Sequence, residues 1–130
     1  MGKEEVIELD DSNWEKIVEK GEKPIVVMFY SDACAFCKQM EPSFFEYAGD
    51  FKDKVVFGRV DIVNNPTIPN RYMVMGTPTF KFFCKGKPVS ELTGAMYPAL
   101  LKKAVEENLQ YGVSCVDNTT WHGFNDMGYA

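Results

Sequence analysis

The stretch "SDACAFCKQM", Ser31 to Met40, sets Cys34 and Cys37 three positions apart in a chain of 130 residues that has only 4 cysteines. This spacing suits a metal site, a structural staple, or a dithiol that exchanges electrons. A structural zinc takes four ligands. Here Cys84 and Cys115 stand alone on separate segments and His122 is the only histidine, so the ligand set is short and no metal is expected. As a staple, a bridge closing so small a loop would remove little unfolded-chain entropy and stabilise weakly. Redox chemistry fits what remains. The pair falls between the end of an apolar strand pattern and the first turn of a helical one. Unsatisfied amides and the helix dipole favour a thiolate over a thiol there. Cys34, at the very end, is expected to be exposed and nucleophilic; Cys37, one turn further in on the same face, is expected to be more buried. In a helical turn this separation puts the α-carbons about 5–6 Å apart, inside the range a disulfide tolerates. The stretch therefore reads as a dithiol–disulfide switch that needs no cofactor.

The elements that must hold this pair can be followed along the chain. "VIEL" (Val6 to Leu9) alternates as a short strand. "DDSNWEKIVEK" offers Ser12 as a helix N-cap with Glu15 three residues on, a capping box, followed by Trp14, Ile17 and Val18 at helical spacing. "IVVMFY" (Ile25 to Tyr30) is short, continuous and partly β-branched, as a strand buried on both faces should be. After the cysteines, Met40, Phe44, Tyr47, Ala48 and Phe51 recur at helical intervals, with Pro42 inside the run and expected to kink it. "VVFGRVDIV" (Val55 to Val63) is a third strand and "NPTIPNRYMV" a short, irregular helix. "TFKFF" (Thr79 to Phe83) and "PVSELTG" (Pro88 to Gly94) flank "CKGK" as a hairpin. "YPALLKKAVEENL" closes as an amphipathic helix carrying Ala99, Leu100, Ala104, Val105 and Leu109. The order β-α-β-α-β-α-β-β-α implies an α/β fold, a central mixed, mainly parallel sheet of about five strands with helices on both faces. Beyond Tyr111 the composition turns to Gly, Asn, Asp and Ser without periodicity. This divides the chain into a domain over 1–111 and a C-terminal tail over 112–130, with Trp121, Phe124 and Tyr129 as its anchors.

The totals narrow the function classes. An apolar fraction of 45% and a charged fraction of 25% are ordinary for a soluble globular domain. A net charge of −5 argues against nucleic acid or an anionic membrane surface as partner. The longest apolar run, Ile25 to Tyr30, is far short of the roughly 20 residues that span a bilayer. The charged start "MGKEEVIELDD" shows no secretory leader and no myristoylation signal, which points to a cytoplasmic location. Thiols stay mostly reduced there, and a disulfide tends to be catalytic.

From Val6 to Leu109 the sequence resembles thioredoxin. The resemblance rests on "DSNWEKIV", "KPIVVMFY", "CAFCK" with Pro42 five residues after Cys37, "GRVDIVNNP", "MGTPTFKFF" and "GKPVSELTGA", in that order. It implies the thioredoxin fold and a cis Pro78, preceded by Thr77, facing the active-site disulfide. It also implies that the Thr77 backbone lies at a groove edge where an extended substrate pairs as a short β-strand, with Gly76 and Gly94 keeping the rim low. Ala35 and Phe36 complete the substrate-binding set, Phe36 projecting as an apolar contact. The implied mechanism has Cys34 attack a substrate disulfide to form a mixed disulfide, which Cys37 then resolves.

The sequence departs from the family at several points. Ala35-Phe36 replaces Gly-Pro between the cysteines, and Ala33 replaces the usual Trp. Met28 stands six positions before Cys34 where the family carries a buried Asp, and Arg59 occupies the place of its lysine partner. Without that Asp, resolution by Cys37 is expected to be slower unless a water or another carboxylate substitutes. Ala35-Phe36 adds no charge to stabilise a thiolate, which favours a reductant over an oxidant. The expected function is a protein disulfide reductase. Its partners are disulfide-containing protein substrates and a disulfide reductase as electron donor, and the chain is expected to act as a monomer. The alternatives are a disulfide oxidase or isomerase, and a low-turnover binding module on the same fold. Cys84 is expected to fill space or face the hairpin rather than react, and a Cys84–Cys115 bridge is the less favoured reading.

Overall fold

The computed structural model describes residues 2–110. The tail over 112–130, with Cys115, Trp121, His122, Phe124 and Tyr129, lies outside the described residues, and so do the expectations attached to it. The order of elements is β1 (Val6–Leu9), β2 (Ile25–Tyr30), α1 (Ala35–Asp50), β3 (Val56–Asp61), α2 (Thr67–Arg71), β4 (Thr79–Cys84), β5 (Lys87–Thr93) and α3 (Pro98–Gln110). Short helical turns occupy Gly2–Glu5 and Glu15–Glu19. The strands form one sheet in the order β1-β3-β2-β4-β5. β1, β3 and β2 are parallel, whereas β4 and β5 are antiparallel to their neighbours.

β2 lies at the centre, and all six of its residues are buried. Alternation sends Val26, Met28 and Tyr30 to one face and Ile25, Val27 and Phe29 to the other. On the first face they meet Cys37, Met40, Phe44 and Ala48 of α1, Leu101 and Val105 of α3, and Phe57, Phe80 and Phe82 of the sheet. On the second they meet Trp14, Val18, Ile68, Val60 and Phe83. A strand covered on both sides has no solvent-facing position, which is why its sequence is an unbroken apolar run. β5, at the edge, shows the opposite pattern. Lys87, Pro88, Ser90, Glu91 and Thr93 are exposed, while Val89 and Leu92 pack inward. The ladder slips between Phe82 and Phe83, whose partners are Ser90 and Pro88; an edge position and an irregular register both tolerate the missing proline amide. Lys85 and Gly86, at φ of 52° and 84°, form the two-residue turn joining β4 to β5. Two positive φ values match the twist of an antiparallel hairpin.

The local expectations need correction at two places. Ser12 does not cap the first helical turn. Asp10 does so instead, its Oδ1 accepting from the amides of Ser12 at 2.8 Å and Asn13 at 3.0 Å and from the Ser12 hydroxyl at 2.6 Å. A carboxylate is the stronger acceptor, so the serine becomes a donor. The turn that follows is widened, with the Lys20 amide donating to the Glu15 carbonyl at 2.9 Å. In α3 the inward residues are Leu101 and Val105, each 0% exposed, while Ala99 is exposed and Leu100 is 52% exposed. Three consecutive apolar residues, Ala99 to Leu101, leave the helical phase open, and docking on the sheet selects one of them. Pro42 sits inside α1 without ending it; the helix runs as one element from Ala35 to Asp50. Among the described residues no helix is long and apolar enough to cross a membrane.

Phe44 is fully buried and lies between the rings of Phe57, at 5.1 Å, and Phe80, at 5.7 Å. Phe44→Ala should therefore lower the unfolding free energy by about 3–5 kcal/mol in urea titrations followed by far-UV circular dichroism. A loss under about 1 kcal/mol would show that α1 does not depend on this contact.

Candidate active site

The C-terminal end of β2 delivers the chain to the cysteines. Cys34 is the N-cap of α1, with extended backbone at φ −88° and ψ 108°. Its amide donates to the Ser31 carbonyl at 3.2 Å, and its carbonyl accepts from the Lys38 amide at 3.3 Å. Its Sγ accepts the Cys37 amide at 3.1 Å. Cys34 and Cys37 are joined as a disulfide with their α-carbons 5.2 Å apart. Cys37 is 1% exposed and belongs to the core cluster of the α1 face. Cys34 is half-buried rather than exposed as expected, because its sulfur folds back over the first turn of the helix it caps. The arrangement gives an accessible sulfur facing helix amides and a second sulfur behind it, closed to water. Thiol–disulfide exchange needs that pair.

Sheet topology brings distant residues to the same end. Phe29, near the end of β2, pairs with Thr79 at the start of β4, and Thr79 pairs with Thr93 at the end of β5. The loop Gly76–Pro78 and Gly94 therefore flank the strand end that leads to Cys34. The Thr77–Pro78 peptide is cis, as the resemblance implies. The Pro78 carbonyl accepts the Gly94 amide at 2.8 Å, and the Thr79 hydroxyl donates to the Gly76 carbonyl at 2.6 Å. No hydrogen bond among the described residues engages the Thr77 backbone. A β-carbon added at Gly76 or Gly94 would meet nothing within 4 Å, and Gly94 has a φ of 91°. Ala35 is exposed and Phe36 is 52% exposed. The sequence reading missed Met75, which is 93% exposed and directly precedes Gly76. Its only signal in the sequence is an apolar side chain in a segment that no strand or helix buries.

A charged cluster lies on the α1 side of the sheet. Glu8, Arg59 and Met28 are in register across β1, β3 and β2, and so share a face. Arg59 donates through Nε to Glu8 Oε1 at 2.7 Å and pairs through Nη1 with Glu41 Oε2 at 3.3 Å. Its guanidinium also lies over the rings of Tyr30, at 4.8 Å, and Phe45, at 5.4 Å. The Tyr30 hydroxyl donates to Glu8 Oε2 at 2.5 Å. Burial first, then the hydrogen bond and charge of Glu8, push the Tyr30 phenol well above its ordinary value of 10.0. Burial works against the Arg59 cation, but the hydrogen bond and charge of Glu8 outweigh it and raise its pKa. Met28 is 0% exposed among this company. Neither Glu8 nor Glu41 stood out in the sequence, since Glu8 joins Arg59 only through the sheet register. Among the described residues, no group of three or more His, Cys, Asp or Glu could hold a metal ion.

The five-stranded mixed sheet with helices on both faces, and a CxxC pair bridged at a helix N-terminus, define a thioredoxin-type thiol–disulfide centre. The family model described as Thioredoxin matches residues 5–107, and the chain belongs to the thioredoxin family. It is 31% identical over 102 residues to thioredoxin M-type, chloroplastic, of Brassica napus, covering 78% of this chain and 58% of that protein. It is 30% identical over 102 residues to a thioredoxin of Alicyclobacillus acidocaldarius, covering 78% of this chain and 96% of that one. It is also 34% identical over 87 residues to the protein disulfide-isomerase A6 homolog of Caenorhabditis elegans, covering 67% of this chain and 20% of that protein. The chain thus spans under two thirds of the length of two of these three relatives.

Because the folded Tyr30 phenol has a raised pKa, its protonated form contributes stability that is present below pH 10 and lost as pH rises beyond it. The stability margin of the parent over Tyr30→Phe should be flat up to pH ~9 and shrink above pH ~10, read from urea midpoints across that range. A margin that grows with pH would contradict the Glu8 contact.

Proposed function

We propose that the chain is a thiol–disulfide oxidoreductase and, more narrowly, a protein disulfide reductase. The observation behind this is the position of Cys34, a helix-capping sulfur that receives the Cys37 amide at 3.1 Å and is partly open to solvent. In the reduced protein the same amide and the helix dipole stabilise the Cys34 thiolate. That thiolate attacks a substrate disulfide, forming a mixed disulfide and releasing one substrate sulfur as thiolate. Cys37 then attacks the Cys34 sulfur, which frees the second substrate sulfur and restores the Cys34–Cys37 bridge. A separate disulfide reductase returns the pair to the dithiol.

Substrate would lie along Gly76, Thr77 and Pro78, adding a short strand to the open Thr77 backbone. Ala35, Phe36 and Gly94 would form the rest of the rim. The uncharged Ala35-Phe36 dipeptide offers no side chain that would stabilise the reduced form unduly, which favours donation of electrons over their uptake. That direction fits a compartment that keeps thiols reduced, the cytoplasm first, where a monomer of this domain would meet protein disulfides. The likeness to a protein disulfide-isomerase homolog supports the oxidase or isomerase direction as the second reading. Equilibration with glutathione separates the two, since an oxidant would stay reduced in a mildly oxidising buffer. The domain responsible would be 1–111, with the tail over 112–130 dispensable for exchange.

Insulin disulfide reduction with dithiothreitol as electron source should be abolished in both Cys34→Ser and Cys37→Ser, with circular dichroism unchanged. Cys37→Ser should in addition accumulate a mixed disulfide with insulin, seen by mass spectrometry. Undiminished turnover in Cys34→Ser would move the assignment to a binding module.

A further inference from the structure

Cys37 is 1% exposed and belongs to the apolar cluster that includes Met28, Tyr30 and Phe80. A thiol in such surroundings resists ionisation, yet it must become a thiolate to attack the Cys34 sulfur. The central strand beneath α1 offers it no carboxylate, since β2 presents only Val26, Met28 and Tyr30 to that face. The helix itself does. Glu41 follows Cys37 by four residues, a spacing that puts both on one face with β-carbons about 5–6 Å apart. Helical side chains lean toward the N-terminus, which is the direction from Glu41 to the turn that holds Cys37. Glu41 is half-buried, and its Oε2 is held by Arg59 Nη1 at 3.3 Å. Its Oε1 accepts no hydrogen bond from any described residue. Arg59 in turn is anchored by Glu8 at 2.7 Å and by the rings of Tyr30 and Phe45.

We propose that Glu41 is the base that removes the Cys37 proton during resolution, and that Arg59 is the positioning residue that holds the Glu41 carboxylate on the sheet side of α1. This rests on the reading of Cys37 as the resolving thiol. In the step, the Cys37 proton passes to the Glu41 carboxylate, directly or through one water. The Cys37 sulfur bonds to the Cys34 sulfur, and the bond from Cys34 to the substrate sulfur breaks. The electron pair leaves on that substrate sulfur as a thiolate, which is reduced as Cys37 is oxidised. Glu41 then returns its proton to the leaving thiolate or to solvent.

The charged groups around Glu41 come from each neighbouring element. Arg59 faces it from β3, and Glu8 and Tyr30, from β1 and β2, act through Arg59. Lys38 is three residues before it on α1. Glu4 and Glu5 of the N-terminal turn and Glu46 of α1 line the cleft beside Pro42 and Phe45. α3 packs on α1 through Leu101 and Val105, with the Tyr47 hydroxyl donating to the Pro98 carbonyl at 3.2 Å. Arg59 is the cation paired with Glu41.

DTNB, an aromatic disulfide with a coloured leaving thiolate, separates the two steps in a reduced parent carrying Cys84→Ser and Cys115→Ser, which leaves Cys34 and Cys37 as its only thiols among the 4 cysteines. Attack by Cys34 releases the first equivalent, and resolution by Cys37 the second. Glu41→Gln should leave the first phase unchanged and slow the second roughly 100-fold at neutral pH. The deficit should vanish at alkaline pH, where solvent ionises Cys37 unaided, and Glu41→Asp should recover part of the rate. Glu46→Gln, on the exposed side of the same helix, should alter neither phase. Two equivalents from the parent with an unchanged second phase in Glu41→Gln, or equal slowing of both phases, would overturn the role of Glu41 alone. A parent that releases only one equivalent would overturn the resolving role of Cys37 and this inference with it. Should Glu41→Gln not fold, the second-phase pH profile of Glu41→Asp decides, a profile identical to the parent counting against the proposal.

Discussion

β2 has no side that faces water, and much of the molecule follows from covering it. Each face needs its own layer, so α1 and α3 pack on Met28 and its neighbours while Trp14, Val18 and Ile68 cover Phe29 and its neighbours. Burying six consecutive apolar residues from both sides supplies a large share of the hydrophobic stabilisation available to a domain of this size. The same constraint rigidly fixes where β2 ends. The chain leaves the sheet at Tyr30 and starts α1 at Ala35, with Cys34 as its cap.

The electrostatics of the site follow from that geometry. A helix starting directly after a buried strand has its amides and positive dipole end at the rim of the sheet, within reach of solvent. Cys34 takes the cap position, which in many helices goes to Ser, Thr, Asp or Asn. Its sulfur thus receives an amide that would otherwise seek an oxygen. One turn deeper the environment inverts. Cys37 sits in an apolar cluster, and the charges nearby belong to Arg59 and its two carboxylates, clamped between aromatic rings. Two chemically identical side chains thereby acquire different surroundings through burial and helix position alone.

The rim opposite is built by pairing rather than by local sequence. β4 runs antiparallel to β2, so the segment preceding it lies beside the strand end that leads to the cysteines. The Gly94 amide fixes the Pro78 carbonyl, while no described residue bonds the Thr77 backbone. A rigid neighbour with one open peptide unit suits capture of an extended chain, because affinity can come from backbone hydrogen bonds that any sequence supplies.

Much of this was legible in the residues. Apolar runs, helical spacing and turn residues give the strands, α1 and the hairpin, because each is dictated by which side chains a given period buries. The Cys34–Cys37 separation likewise follows from helical geometry, and 5.2 Å lies within the expected range. The remaining features depend on contacts between elements far apart in the chain. The phase of α3 was open because Ala99, Leu100 and Leu101 are all apolar, and only the sheet surface distinguishes them. Asp10 caps the turn in place of Ser12 because its carboxylate takes the Ser12 hydroxyl along with the Ser12 and Asn13 amides. The union of Glu8, Arg59 and Glu41 needed the β1–β3 register and the docking of α1, neither of which has a local signature. Periodicity is written residue by residue, so the sequence by itself determined which segments form strands and helices and which faces they bury. Which charges meet on the α1 face of the sheet was decided only when the sheet assembled, since electrostatic partners are chosen by proximity in space.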